Sequence, residues 1–456
     1  MPSTPFSEDV KEVGLTVRAG SPLAEVFLID HAFALQKRSV GDLDTSVPPG
    51  VYKVKATLGE VVVERLVVLN QKTEIDLGDE LRLASPAPLA GTDFTRERHT
   101  DLVTERGRSV EHHAGKGAKV LLVSRRYSGD AAGGEAAQSS LAELSLRRRD
   151  GERVAYVGST EGSDPIEATT VEVDPGPYRL RWRDHSGGIS EQTLWAVRDW
   201  QTHAFVLEDA VGPDEALRNK VSILMSKQDF DPGDEHLRLV EEARTALADE
   251  RKVSGDQNNI LFAKFDNPML GLFGAHLMLL GQEAVEYAKE AESDPDVTQR
   301  PQAPVTFEQD LFDGAVGNLG ELLGHDHPDV VALATKTKNV DRDKIRPIEA
   351  PPMLWRSWLL LIEASNDWPD LVPVHLWRET ARLLPLRPFM VWSLPGDDDD
   401  GAADAGELEM ARLIKRTVDE AAGAAASAAA DAARRELTSR MLAPSAAIDE
   451  LIRKVS

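Results

Sequence analysis

Along the first half of the chain, hydrophobic and polar residues alternate in a pattern that is written twice. Pro48-Pro49-Gly50-Val51-Tyr52-Lys53-Val54-Lys55-Ala56 returns as Asp174-Pro175-Gly176-Pro177-Tyr178-Arg179-Leu180-Arg181-Trp182. In an extended strand, Tyr52, Val54 and Ala56 fall on one face and Lys53 and Lys55 on the other. Tyr178, Leu180 and Trp182 against Arg179 and Arg181 repeat the arrangement. A period of two with a single apolar face predicts antiparallel sheet with one wet side. The Pro-Gly pair ahead of each strand suits a type II turn, Pro fixing φ and Gly supplying a positive φ.

Flanking runs extend the correspondence. Leu15–Val17, Ala24–Ile29, Val51–Ala56, Val61–Leu69 and Thr73–Leu77 read as strands, with Leu58-Gly59-Glu60 as a hairpin turn. Ala142–Leu146 answers Ala24–Leu28, Leu194–Val197 answers Leu66–Val68, and Gln201–Val206 answers Lys72–Leu77. The predicted fold is therefore β then α, opening with two tandem antiparallel β-sandwiches, module one over 1–84 and module two over 118–210. A polar linker over 85–117 joins them.

At Val211-Gly212-Pro213 the period changes to 3.6, with Pro213 placed to open a helix. Leu237, Val240, Ala243 and Leu247 form an apolar stripe. Asn267 caps, and Pro268 opens, a helix that is apolar on nearly every side through Leu280. Further helices are expected near 307–323, 328–337, 352–364 and 374–384, completing an α-helical domain over 211–395. Beyond it, 396–456 reads as an acidic linker, Asp397–Asp400, and an Ala-rich C-terminal helix that is loosely attached or docks on another chain.

At 456 residues the chain is too long for one core, and about 150 residues per domain suggests three. The net charge of −25 argues against nucleic acid and anionic membranes as partners, since both need clustered cations. Without a single Cys there are no disulfides, thiolate metal sites or Cys nucleophiles. The longest apolar run, Met269–Leu280, is interrupted by Gly271, Gly274 and His276 and falls short of the roughly 20 residues a bilayer requires. Met1–Lys11 has neither the basic nor the apolar part of a secretory signal, so a cytoplasmic location is expected.

The sharpest chemical signal is His325-Asp326-His327-Pro328-Asp329. It matches the first five places of the His-x-His-x-Asp-His signature of metallo-β-lactamase-like hydrolases, but Val330 stands where the sixth ligand belongs, and the run joins two helices. Asp326 or His327 capping the helix opened by Pro328 is the preferred reading. No catalytic residue or cofactor is expected, and His325, His327 and Asp329 are the only metal candidates. The His112-His113 pair reads as polar loop. Five of eight tryptophans, Trp355, Trp358, Trp368, Trp377 and Trp392, crowd the last helices. They serve either as bundle core or, for Trp355, Trp358, Trp368 and Trp377, as an interaction face for a protein partner.

The Pro-Gly-x-Tyr-x-Leu/Val pattern resembles the transthyretin-like sandwiches of carboxypeptidase regulatory-like and PEGA-type domains. That resemblance implies a sandwich fold and a non-catalytic role. Lys264–Gly271, His327–Val330, and Pro351–Leu354 with Ser357-Trp358 resemble runs in uncharacterised bacterial proteins, some of which accompany caspase-like peptidases. This second resemblance implies a peptidase partner. The expected function is a non-enzymatic cytosolic interaction or scaffold protein. Two other readings stand beside it. One is a partner or substrate of a caspase-like peptidase in defence or signalling, cut within 85–117 or 396–406. The other is a hydrolase with a site near His325 and His327.

Overall fold

The computed structural model describes residues 12–59, 61–90, 92, 97–128, 143–157, 166–183, 188–210, 218–250, 267–293, 307–340, 345–394, 411–412, 414–416 and 427–454. Its first seven strands are β1 (Val13–Arg18), β2 (Glu25–Asp30), β3 (Leu35–Val40), β4 (Leu43–Val47), β5 (Gly50–Leu58), β6 (Val61–Leu69) and β7 (Thr73–Asp76). They form a three-stranded sheet, β4-β1-β7, and a four-stranded sheet, β3-β2-β5-β6. Leu15 and Val17 of the first meet Val26, Leu28, Val54 and Ala56 of the second in one buried core.

Next come α1 (Glu97–Arg108), β8 (His112–His113), β9 (Ala118–Ser128), β10 (Glu143–Arg147), β11 (Arg153–Val157), β12 (Ile166–Val173), β13 (Gly176–Arg183), β14 (Ile189–Ala196), β15 (Gln201–Ala210) and β16 (Arg218–Ser226). Strand β9 pairs antiparallel with β12 and parallel with β15, as β1 does with β4 and β7. Strand β10 lies between β11 and β13, as β2 lies between β3 and β5. Each Pro-Gly-x-Tyr strand then turns back into a hairpin partner, β6 or β14. Tyr52 and Tyr178 are both third in their strands, and each hydroxyl donates to the carbonyl four residues earlier, Pro48 O at 2.8 Å and Asp174 O at 2.9 Å. That bond, rather than a type II turn, organises the Pro-Gly corner: Gly176 has φ +141° while Gly50 is not among the positive-φ glycines.

The remaining elements are α2 (Glu235–Ala248), α3 (Pro268–Ser293), α4 (Gln309–Leu323), α5 (Pro328–Ala334), α6 (Trp355–Ala364), α7 (Val374–Glu379), β17 (Leu383–Leu384), β18 (Val391–Ser393), α8 (Ser427–Met441) and α9 (Ser445–Lys454). Asn267 caps α3, its Oδ1 accepting the N–H groups of Met269 and Leu270. The chain is thus broadly β then α, but 211–395 is not purely helical. Strand β16 lines the second unit along the whole of β15, and β18 pairs with the free edge of β14. One continuous core runs from Leu122 and Phe205 in the sheets to Phe273, Leu319 and Trp358 in the helices. Residues 211–217, where the helical period was expected to start, lie outside the described residues; the first helix after them is α2, capped by Asp234.

The span read as a linker, 85–117, carries α1 and β8. Sheet side chains take the last carbonyls of α1: Gln201 Nε2 donates to Gly107 O and Thr170 Oγ1 to Arg106 O, both at 2.8 Å. His112 and His113 belong to β8, paired parallel with β12, rather than to a loop. The first β unit is fastened to α2 by two buried carboxylates. Ser21 donates to Glu242 and Ser85 to Glu241, each at 2.8 Å. Gly59, at φ +62° in the β5–β6 turn, lies against Thr245 of α2, where a Cβ would stand 2.5 Å from the threonine methyl.

The tail is docked on its own chain. Ala447, Ile448 and Leu451 of α9 join Ala411 and Ile414 in a small core against Val374 and Trp377. Arg378 pairs with Glu450 at 2.6 Å, and Ser445 N donates to Ser365 Oγ at 3.0 Å. The acidic stretch 396–406 lies outside the described residues.

Two outcomes follow from these contacts. Tyr52→Phe and Tyr178→Phe should each cost about 1 kcal/mol, the net worth of one hydrogen bond, in urea denaturation; unchanged midpoints at both sites would remove this bond from the account of the fold. Leu451→Ala should loosen tail docking by about 2–4 kcal/mol and shift Trp377 emission to the red. A spectrum identical to wild type would mean the tail does not cover that ring.

Candidate functional site

The residues singled out for chemistry meet where α3, α5 and α6 come together, and the local sequence explains why. Helix α6 starts at Leu354, a residue with no side chain able to cap its exposed N–H groups. Asp329, in the first turn of α5, anchors the two residues just ahead of the helix: its carboxylate takes Met353 N–H at 2.8 Å and Leu354 N–H at 3.0 Å and lies beside the Ser357 hydroxyl, while Trp355 N–H goes to Pro388 O. Ser357 Oγ also lies 2.8 Å from His276 Nε2 of α3. The Ser357 hydroxyl thus lies between the His276 ring and the Asp329 carboxylate. His327 is the N-cap of α5, its Nδ1 accepting Asp329 N–H at 3.2 Å, and its ring lies 4.3 Å from that of Trp195.

All four side chains are fully buried. Burial pushes the Asp329 carboxyl up to about 6, against the lowering effect of the Ser357, Met353 and Leu354 hydrogen bonds. Burial also pushes His327 and His276 down to about 3, with the Arg356 charge adding to the effect at His276. At neutral pH both rings are uncharged. The 3.6 Å approach of His327 Nδ1 to Asp329 Oδ2 is therefore a neutral ring beside a carboxylate, not an ion pair.

The composition Ser, His, Asp invites comparison with a catalytic triad, but the order is different. A triad sets the imidazole between hydroxyl and carboxylate so that it can take the serine proton. Here the serine stands between imidazole and carboxylate, and all of the groups are buried. The arrangement is a helix clamp. His325 points away from it, 72% exposed, with Nε2 3.4 Å from Glu321. His325, His327 and Asp329 therefore do not converge. Among the described residues no group of three His, Asp or Glu side chains is placed to hold a metal ion.

A cavity of about 770 Å³ opens beside α4 and α5, lined by Asp313, Val316, His325, Val331, Ile345 and Arg346. Of its two carboxylates, Asp313 and Asp326, the first is engaged by Gln309 Nε2 at 2.7 Å and by Lys338 N–H at 3.3 Å. Of the tryptophans, Trp358 and Trp392 are core, while Trp355, Trp368 and Trp377 are partly covered, Trp377 by the tail. They form no open aromatic face. His113 on β8 is exposed and 2.9 Å from Glu172, which it holds below the usual carboxylate range. Sequence reasoning missed His276 and Ser357; the available signal was a histidine inside the otherwise apolar first half of α3.

No protein-family model matches the chain, and no curated protein does. Among solved structures, the Bacillus anthracis TIE protein is similar over 41% of this chain at 15% identity, with a TM-score of 0.15. The match spans 31% of that protein's length and carries no argument about fold or function.

The buried groups set a pH dependence with a definite sign. Asp329 contributes stability below its ordinary value of 3.8 that is lost as pH rises through about 6. His327, His276 and the equally buried His203 contribute stability above 6.5 that is lost as pH falls toward about 3. Three histidines outweigh one aspartate, so thermal stability should fall between pH 6.5 and 4. His276→Gln should make that fall shallower and Asp329→Asn steeper, read from melting temperature against pH. Parallel curves for all three proteins would show that these groups do not titrate as described.

Proposed function

We propose that this chain is a non-enzymatic interaction protein: two copies of one transthyretin-like sandwich carried on a helical body. The repeated strand pairings and the matching Tyr52 and Tyr178 bonds support the duplicated-sandwich reading. One observation carries the functional reading. The polar groups fit for chemistry are enclosed and spent on holding helices, while the exposed large hydrophobics Phe33, Leu35, Val51, Val62, Leu66 and Val68 all belong to the β3-β2-β5-β6 sheet or its β2–β3 turn. Apolar surface gathered on one face marks a contact site. A protein fits that face; a peptidase is one candidate, on the sequence resemblance alone. No described helix is long and apolar enough to cross a membrane.

Purification of the full chain from its native cell under mild conditions, followed by mass spectrometry, should yield a stoichiometric protein partner. A chain that stays alone while hydrolysing members of an ester and phosphoester panel would overturn the proposal.

A further inference from the structure

The two β units treat the same edge differently. Measured from the tyrosines, Lys55 faces Glu64 across β5 and β6 as Arg181 faces Glu191 across β13 and β14, so Glu64 corresponds to Glu191, Leu66 to Thr193 and Val68 to Trp195. In the second unit that edge is closed by β18, with Ser190, Glu191 and Gln192 opposite Ser393, Trp392 and Val391. Leu394 N–H, donating to Ile189 O at 2.9 Å, prolongs the contact. Arg179 then stacks on Trp392 at 5.0 Å and pairs with Glu379 at 2.6 Å. In the first unit, no strand among the described residues lies on the outer edge of β6. The difference continues past the β18 pairing: Leu66 is 80% exposed where Thr193, bonded by Arg179, is 1%, and Val68 is 67% exposed where Trp195, beside His327, is 8%.

We propose that the free edge of β6 receives an antiparallel strand from a partner protein, as β14 receives β18. The residues seated on the second edge define its chemistry: Met390, Trp392 and Leu394 alternate, giving aliphatic-x-aromatic-x-aliphatic on the outer face. Charge adds a requirement. On the outer face of the first unit Arg38 is paired with Glu25, and Lys53 with Glu64 at 2.6 Å, while Lys55 has no ion pair among the described residues. The incoming strand therefore carries a carboxylate near its aromatic residue, within reach of Lys55. A nine-residue edge rich in Val and Leu, with no strand on its outer side among the described residues, is a template for strand addition. A second copy is the poorer occupant. Arg65, paired with Glu80, would face its own copy in the antiparallel register that pairs all nine residues of β6 with themselves, which places four charged side chains on the seam.

This inference rests on the interaction reading above and is tested separately from it. The probe is a synthetic peptide with the sequence of residues 389–394, preceded by two aspartates and a fluorophore, titrated into the full chain. Saturable binding is expected, with slowed amide exchange confined to 61–69. Leu66→Glu and Val68→Glu, at exposed positions and with unchanged melting curves, should weaken it by about tenfold or more. Absence of binding, protection elsewhere, or equal affinity in both variants would overturn the proposal. A dimer in sedimentation that Leu66→Glu dissociates would also overturn it, by assigning the edge to a second copy. A native partner kept by Leu66→Glu refutes the edge and leaves the interaction reading standing, whereas a wild-type chain with no partner refutes that reading.

Discussion

The short pairing of β18 with β14 is the contact on which the rest of the architecture depends. It draws residues from near position 390 onto a strand that ends at Ala196, and Arg179 locks the graft by reaching both Trp392 and Glu379. A sheet edge is a row of unpaired donors and acceptors, and a strand laid on it satisfies them while burying its own side chains. Once that is done, the outer face of the second unit becomes interior, and a single core passes from sheets to helices. The first unit has the same strand order without this closure, and its contact with the helices runs through Glu241 and Glu242 of α2.

Inside the helical body, the same economy of polar groups decides what the histidines and Asp329 are for. A buried carboxylate needs donors, and Asp329 finds them in the N–H groups of Met353 and Leu354, the residues that lead into α6. Ser357 and His276 extend the solution to α3. Removal from water is what makes the network strong, since a low local dielectric strengthens each hydrogen bond in it. A short His-x-His-x-Asp run is thus compatible with a hydrolase signature in one dimension and with a helix clamp in three.

Much of the fold was legible in the residues. The alternation at Tyr52 and Tyr178, the Asn267-Pro268 cap and the stripe through Leu237 and Leu247 announced their elements because each signal is local. The misses share a cause. Strand β3 (Leu35–Val40) is exposed over its first four residues and shows no apolar alternation, and β16 is buried in a hairpin that only β15 defines. The 85–117 segment looked like a linker because α1 is polar; what fixes it is the capping of its last carbonyls by Gln201 and Thr170, far along the chain.

The sequence by itself determined the alternating strands around Tyr52 and Tyr178, the helix starts with Asn or Pro signals, and the absence of cysteine chemistry, since these depend on neighbours within a few residues. Tertiary structure alone decided which edges are closed, which tryptophans are core, and where the buried charges find partners. Those outcomes turn on contacts between residues 24 to 221 positions apart, such as Asp329 with Met353 and Ser21 with Glu242. No local pattern encodes them, because a backbone edge carries the same groups whether or not a strand arrives to meet it.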